Sequence, residues 1–268
     1  ILYPLYYIVI ASISSPIFTG SGQVWFLPKG ITFEGYTKMI NEPRVWLGYR
    51  NTIFYTVVGT FINLLCTLPA AYALSKKYFM PRNIIMFIFV FTMFFNGGLI
   101  PTYLVVKKLS LIDTVWAMMI PKAVSVWNII ISRTFFITNI PAELEDAAFI
   151  DGCSNTRFFV KVVLPLSKAI IAATTLFYAV GHWNSFFDAL IYLRKQQLFP
   201  LQMFLREILV QNQMNQLLND RETWSERQRT FDLIKYSVVI VANLPVLIIY
   251  PFLQKYFVKG VMLGSLKG

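Results

Sequence analysis

The stretch Thr52–Ser75, TIFYTVVGTFINLLCTLPAAYALS, runs for 24 residues without a charged side chain and stops at Lys76-Lys77. A helix needs about 20 mostly apolar residues to cross a hydrocarbon core of about 30 Å. Backbone amides in lipid have no water to bond to, so such a stretch satisfies them internally, as helix. Working outward, five further apolar runs reach or approach that length: residues 2–18, 84–100, 114–137, 169–193 and 233–257. An outer-membrane barrel would show alternating segments of about ten residues instead, and that pattern is absent. The expected fold is all-α: a polytopic membrane protein with six transmembrane helices, forming a single transmembrane domain over residues 1–268.

Composition agrees. Of 268 residues 56% are apolar and only 14% charged, against about 25% charged in soluble domains. The net charge is +11, from 24 basic and 13 acidic residues. The excess is scattered through inter-helix segments, where it meets lipid headgroups. No basic stripe or stacking motif accompanies it, so nucleic-acid binding is excluded. Cys66 lies in an apolar run and Cys153 in a polar loop, so no disulfide is expected. With His182 as the single histidine, a Cys/His metal site has too few ligands. The chain opens at Ile1 without a methionine, so the native N-terminus is expected to be missing or processed. Its first apolar run has no basic n-region or small-residue cleavage site and does not read as a signal peptide.

Lys/Arg bias in short loops sets orientation, while long loops translocate largely regardless of charge. Discounting the long segments 20–50 and 194–235 leaves Lys107 and Lys108 opposing ten basic residues in 76–82, 133–168 and 255–267. The loop 138–168 is therefore expected on the cytoplasmic side and 194–232 on the extracytoplasmic side.

The loop 138–168 is the most informative stretch. Pro141 suits a first helical position and Glu143 the positive end of the helix. Leu144, Ala147, Ala148 and Asp151 follow at helical spacing, and Gly152 is a left-handed stop. Ser154 or Asn155 can cap a second helix, whose apolar side is Phe158, Phe159, Val162 and Val163, ending at Pro165. Two short helices joined at a glycine make a rigid knob, and Ala147 and Ala148 leave it a shallow surface for another protein.

Glu145-Asp146-Ala147-Ala148-Phe149-Ile150-Asp151-Gly152, then nine residues, then Val162-Val163-Leu164-Pro165, resembles the EAA loop of ABC importer permeases. Asp146 stands where that family has Glu, and Val162 where it has Ile. Pro141-Ala142-Glu143-Leu144, Trp183-Asn184 and the tail 250–260 resemble the MalG-like subunits of carbohydrate importers. The likeness covers nearly the whole chain. It implies a type I ABC importer permease architecture in which Glu145, Asp146, Ala147, Ala148, Asp151, Gly152, Leu164 and Pro165 form the ATPase-coupling loop. It also implies a second homologous permease, two ATPase subunits, an extracytoplasmic solute-binding protein and an oligosaccharide substrate. No G-x-x-x-x-G-K-[S/T] occurs in the chain. ATP and Mg²⁺ are therefore expected on the partner ATPases, with no cofactor here.

Polar groups inside a span are costly and usually face protein or water. Thr174, Tyr178, His182, Ser185 and Asp188 follow i, i+4, i+8, i+11 and i+14 and would share one face of a fifth span, with Trp183 and Asn184 beside it. That face either lines a sugar path or bonds helices together. Asn63, Asn96, Asn128 and Asn243 suit the bonding role better. Pro69, Pro121 and Pro245 suggest kinks.

Two other classes fit poorly. An intramembrane enzyme would need more than one His/Ser pair, and the H-E-x-x-H and G-x-S-x-G motifs are missing. An ion-coupled secondary transporter would carry several in-membrane carboxylates and inverted repeats, whereas only Asp188 qualifies.

Overall fold

In a computed structural model of the chain, residues 2–207, 210, 234–245, 247 and 248 are described. Along the chain the helices are α1 (Leu2–Ser12), α2 (Pro16–Gly20), α3 (Glu34–Ile40), α4 (Pro43–Ser75), α5 (Arg82–Phe94) and α6 (Leu99–Lys108). They continue with α7 (Val126–Asn139), α8 (Ala142–Ile150), α9 (Asn155–Phe158), α10 (Leu164–Leu166), α11 (Lys168–Trp183) and α12 (Phe186–Tyr192). Among the described residues there is no strand, as the apolar runs require.

Among those residues α4 alone is long and apolar enough to cross a membrane as one helix; its 33 residues contain Pro69. Two further runs qualify only as bent pairs: α5 with α6, at 116°, and 155–166 with α11, at 83°. Six straight spans are therefore not what the described residues form. The run 84–100 breaks at Asn96-Gly97-Gly98, where the Asn96 carboxamide oxygen accepts from the Gly98 amide at 2.9 Å. The run 114–137 is not one helix either. After a 3₁₀ turn at Val115–Met118 the chain stays non-helical until α7. Pro121 has no N–H for a helical bond and pushes Ile120 out of helical geometry, and Ser125 then caps α7, accepting from the Asn128 amide at 3.5 Å. The run 2–18 divides into α1 and α2. Of the expected sixth span, residues 233–257, the described part forms an apolar helix over Ile234–Pro245, while its remainder from 249 on, most of the loop 194–232 and the tail lie outside the described residues.

The chain divides into two compact units, one of Ile1–Ile53 with Ser185–Ile248, the other built around Phe54–Asn184. In the first, the Asn51 carboxamide donates to the carbonyls of Gln197 (2.8 Å) and Phe199 (3.0 Å), and the Thr52 hydroxyl accepts from the Leu201 amide at 2.8 Å. In the second, Leu68, Ala71, Tyr72 and Leu74 of α4 pack with Ile129 and Phe136 of α7, Phe158, Phe159, Val163 and Ile170. The outside of this unit is apolar too: Phe61, Leu65, Ile84, Phe87 and Phe94 are exposed, and α5 has no fully buried residue, only Ile85, Met86 and Phe89 half-buried against the core. Lipid or a partner helix, not water, suits such a surface.

Candidate functional site

The knob forms close to where the sequence places it. Glu143 and Glu145 lie in the first turn of α8, where the helix dipole favours acids. The helix begins at Ala142, one residue after the expected Pro141. At its other end Gly152 takes φ +74°, its amide bonds the Phe149 carbonyl at 3.0 Å, and the Cys153 amide bonds the Ala148 carbonyl at 2.9 Å. Orphan helix carbonyls are satisfied in this way by a left-handed residue. Ser154 caps α9, its hydroxyl accepting from the Arg157 amide at 3.4 Å. The second helical stretch ends at Leu166, one residue past the expected Pro165. A π-helical turn spans Phe159–Val163, and α10 carries Leu164 and Pro165. The Pro165 ring would clash with the Lys161 carbonyl in a regular helix, and the wider turn makes room. Leu164 packs against the core of the unit, whereas Pro165 is exposed.

The two adjacent acids of the motif face different ways. Glu145 turns inward: its Oε2 accepts from Lys76 Nζ at 2.6 Å, with side-chain exposures of 13% and 10%. Removing one partner of so enclosed a pair strands a charge, at about 3–5 kcal/mol. Tyr78 donates to Glu145 Oε1 at 3.5 Å and is 3.1 Å from Asn155 Oδ1. Burial, followed by the Glu145 charge, pushes the Tyr78 phenol above its ordinary value. Lys76 Nζ also lies 4.3 Å from the centre of the Tyr72 ring, a favourable cation–π distance. Asp146, Ala147, Asp151 and Gly152 are exposed, while Ala148 is half-buried against the core. Beside them Ile150 is 87% exposed. This outward face, apolar with an acidic edge, is what a docking partner would cover.

The expected polar face of a fifth span is realised in part. Thr174, Tyr178 and His182 of α11 are all buried. Thr174 spends its hydroxyl on its own helix, at the Ile170 carbonyl (2.8 Å). Tyr178 OH is 2.6 Å from the Thr67 hydroxyl and accepts from the Ser125 amide at 3.0 Å. His182 Nε2 is 2.7 Å from Asn63 Oδ1. Tyr178 and His182 therefore bond α11 to other segments, while Thr174 bonds within its own helix. The helix ends at Trp183, Ser185 precedes α12 and Asp188 lies in it, so the five positions do not belong to one helix. Trp183, Ser185 and Asp188 are buried, and Asn184 is the one member of the set with an exposed side chain.

Some participants gave no sequence signal. Lys76 entered only as one of the basic residues that follow an apolar run, and neither Thr67 nor Ser125 was singled out. Gly59 was also missed: a Cβ there would sit 2.5 Å from His182 Nε2, so only glycine lets the imidazole approach α4. Among the described residues no three His, Cys, Asp or Glu side chains converge as a metal site, and Cys66 and Cys153 are unbridged.

Residues 45–263 match the family described as binding-protein-dependent transport system inner membrane component. The chain is 41% identical over 267 residues to Protein LplC of Bacillus subtilis (strain 168), covering 100% of this chain and 90% of that one. It is 38% identical to the polygalacturonan/rhamnogalacturonan transport system permease protein YtcP of the same organism, covering 99% and 92%. Its structure matches a chain in the crystal structure of a bacterial ABC transporter involved in import of the acidic polysaccharide alginate, with TM-score 0.84, 36% identity and coverage of 96% and 90%. The chain belongs to the family of binding-protein-dependent inner membrane transport components, the permease subunits of ABC importers.

Proposed function

We propose that this permease imports an acidic oligosaccharide across a bacterial cell membrane, as a multi-pass subunit beside a second homologous permease. Two ATPase subunits bind ATP and Mg²⁺ and dock on the cytoplasmic knob, and an extracytoplasmic solute-binding protein delivers the cargo. The observation that carries this reading is the outward face of α8, where Asp146, Ala147 and Ile150 stand exposed on a helix braced from behind. A surface that offers an apolar side chain and a carboxylate to water, on a rigid support, suits a protein partner. The acidic cargo is supported by the relatives: one is named for polygalacturonan and rhamnogalacturonan, and the structural neighbour takes up alginate. The coupling residues in this reading are Glu145, Asp146, Ala147, Ala148, Asp151, Gly152, Leu164 and Pro165. Tyr178 and His182 serve the seam between helices, Thr174 bonds its own helix, and Asn184 is the exposed member of the polar set.

The test is uptake by the assembled importer in proteoliposomes, with labelled oligogalacturonates and neutral maltooligosaccharides as competing cargoes. ATP-dependent accumulation of the acidic sugar is the expected result. Accumulation without nucleotide or without the ATPase subunits would overturn the reading, and equal uptake of the neutral sugar would overturn the cargo class.

A further inference from the structure

The geometry points to Lys76 as the positioning residue that makes the coupling helix and the membrane helix move as one body, through its ion pair with Glu145. This rests on the reading of 138–168 as the ATPase-docking loop. The helix α8 joins the rest of the chain through Ile140-Pro141 on one side and Asp151–Ser154 on the other, both outside regular helix. A force on its exposed face would swivel it about those joints unless its body were held. Glu145 provides the hold, gripped by Lys76 Nζ at 2.6 Å and approached by Tyr78 OH at 3.5 Å.

The same ammonium lies 4.3 Å from the Tyr72 ring of α4 and 5.6 Å from the Phe158 ring of α9. Tyr78 extends the clamp to Asn155, at 3.1 Å. Four stretches of chain thus meet at one charge. A flexible lysine normally loses rotamer freedom when fixed. Here ring contacts on two sides and a carboxylate ahead leave it little to lose in a stroke.

From this clamp the contacts lead back along α4. Thr67 is nine residues before Lys76 and Asn63 thirteen, about 14 and 20 Å at 1.5 Å per residue. Thr67 holds Tyr178 of α11, and Asn63 holds both His182 and the carbonyls of Lys122 and Ala123. Displacing α8 therefore displaces α4, and with it the polar bonds that fix α11 and the non-helical segment 119–125. The two neighbouring acids divide the work: Asp146 meets the partner, and Glu145 conveys the push inward.

A run of contacts is not by itself coupling, so the test measures solute imported per ATP hydrolysed by the assembled importer in proteoliposomes. Lys76→Met and Glu145→Gln are each expected to lower that ratio about tenfold, within the usual range of coupling factors. Co-purification of the ATPase subunits should persist, because the outward face of α8 is untouched. Lys76→Arg keeps the charge and is expected to restore most of the ratio. Glu145→Gln, nearly isosteric, carries the test if Lys76→Met does not accumulate in the membrane. Single variants with a wild-type ratio, variants that shed the ATPase, or a loss that Lys76→Arg leaves unrelieved would each overturn the proposal. Failure of the underlying reading looks different: the wild-type complex itself would import solute with no ATPase present.

Discussion

His182 Nε2 lies 2.7 Å from Asn63 Oδ1, while the Asn63 amide nitrogen donates to the carbonyls of Lys122 at 2.7 Å and Ala123 at 2.8 Å. The two donations settle which way the carboxamide points, leaving its oxygen to the imidazole, so His182 carries its proton on Nε2. One side chain of α4 thus closes both α11 and a segment that has lost its helical bonds. Replacing it by Asn63→Leu leaves two part-buried carbonyls and the buried His182 donor without this partner. The expected loss is about 1–3 kcal/mol of stability, read as a lowered thermal midpoint in detergent.

Gly59→Ala reaches the same contact from the other side. The added methyl would lie 2.5 Å from His182 Nε2 and 2.6 Å from Cε1. The ring must move and the Asn63 bond must break. The Gly59→Ala, Asn63→Leu double variant is expected to be no less stable than the worse single variant, since both destroy one interaction. Fully additive losses in a double-mutant cycle would show that the two positions are independent.

Gly152→Ala separates backbone strain from bulk. At φ +74° a side chain is strained, yet nothing lies within 4 Å of where its Cβ would be. Gly152→Ala should cost about 1–2 kcal/mol through strain alone, and Gly152→Asn less, because Asn visits that conformation readily. Gly152→Trp adds volume on the outward face and is expected to abolish solute-stimulated ATP hydrolysis while membrane insertion, read by membrane fractionation, is retained. Normal stimulation in the Trp variant would sink the docking role of this face.

Asp146→Lys contrasts with the Glu145 changes. Asp146 is exposed and has no ion pair within 4.0 Å among the described residues, so its reversal should shift stability by no more than about 0.5 kcal/mol. Binding of the ATPase subunits, measured by co-purification, should fall sharply. A destabilised protein that still binds them would reverse the assignment of the two acids.

Arg133→Met tests the other grip on α4. The Arg133 guanidinium donates from Nε to the Leu74 carbonyl at 2.9 Å, satisfying a C-terminal carbonyl and placing a positive charge at the negative end of the helix. Its loss should cost about 1.5–3 kcal/mol, checked by thermal unfolding, with Arg133→Lys recovering part of it.

The polar face of the fifth apolar run shows where sequence patterning stops. Spacing placed Thr174, Tyr178 and His182 together, and they are together. It did not reveal that Asn184 and Ser185 interrupt the helix, so that Asp188 stands on the next one. Nor could spacing choose between lining a path and bonding helices. That choice turns on what lies opposite, here Asn63, Thr67 and the Ser125 amide, which come from parts of the chain more than fifty residues away.

What the sequence determined alone is local: apolar runs that must be helical in lipid, a glycine where α8 needs a left-handed residue, a serine-asparagine pair where α9 needs a cap, and the order of residues in the loop 138–168. Each depends on backbone bonding within a few positions, so a linear string carries it. Only tertiary structure decided which runs bend or break, that Glu145 turns to Lys76 while Asp146 turns away, and that Gly59 makes room for His182. Those outcomes depend on distances between side chains remote in the chain, and a buried charge or amide takes whichever partner the packing brings within about 3 Å.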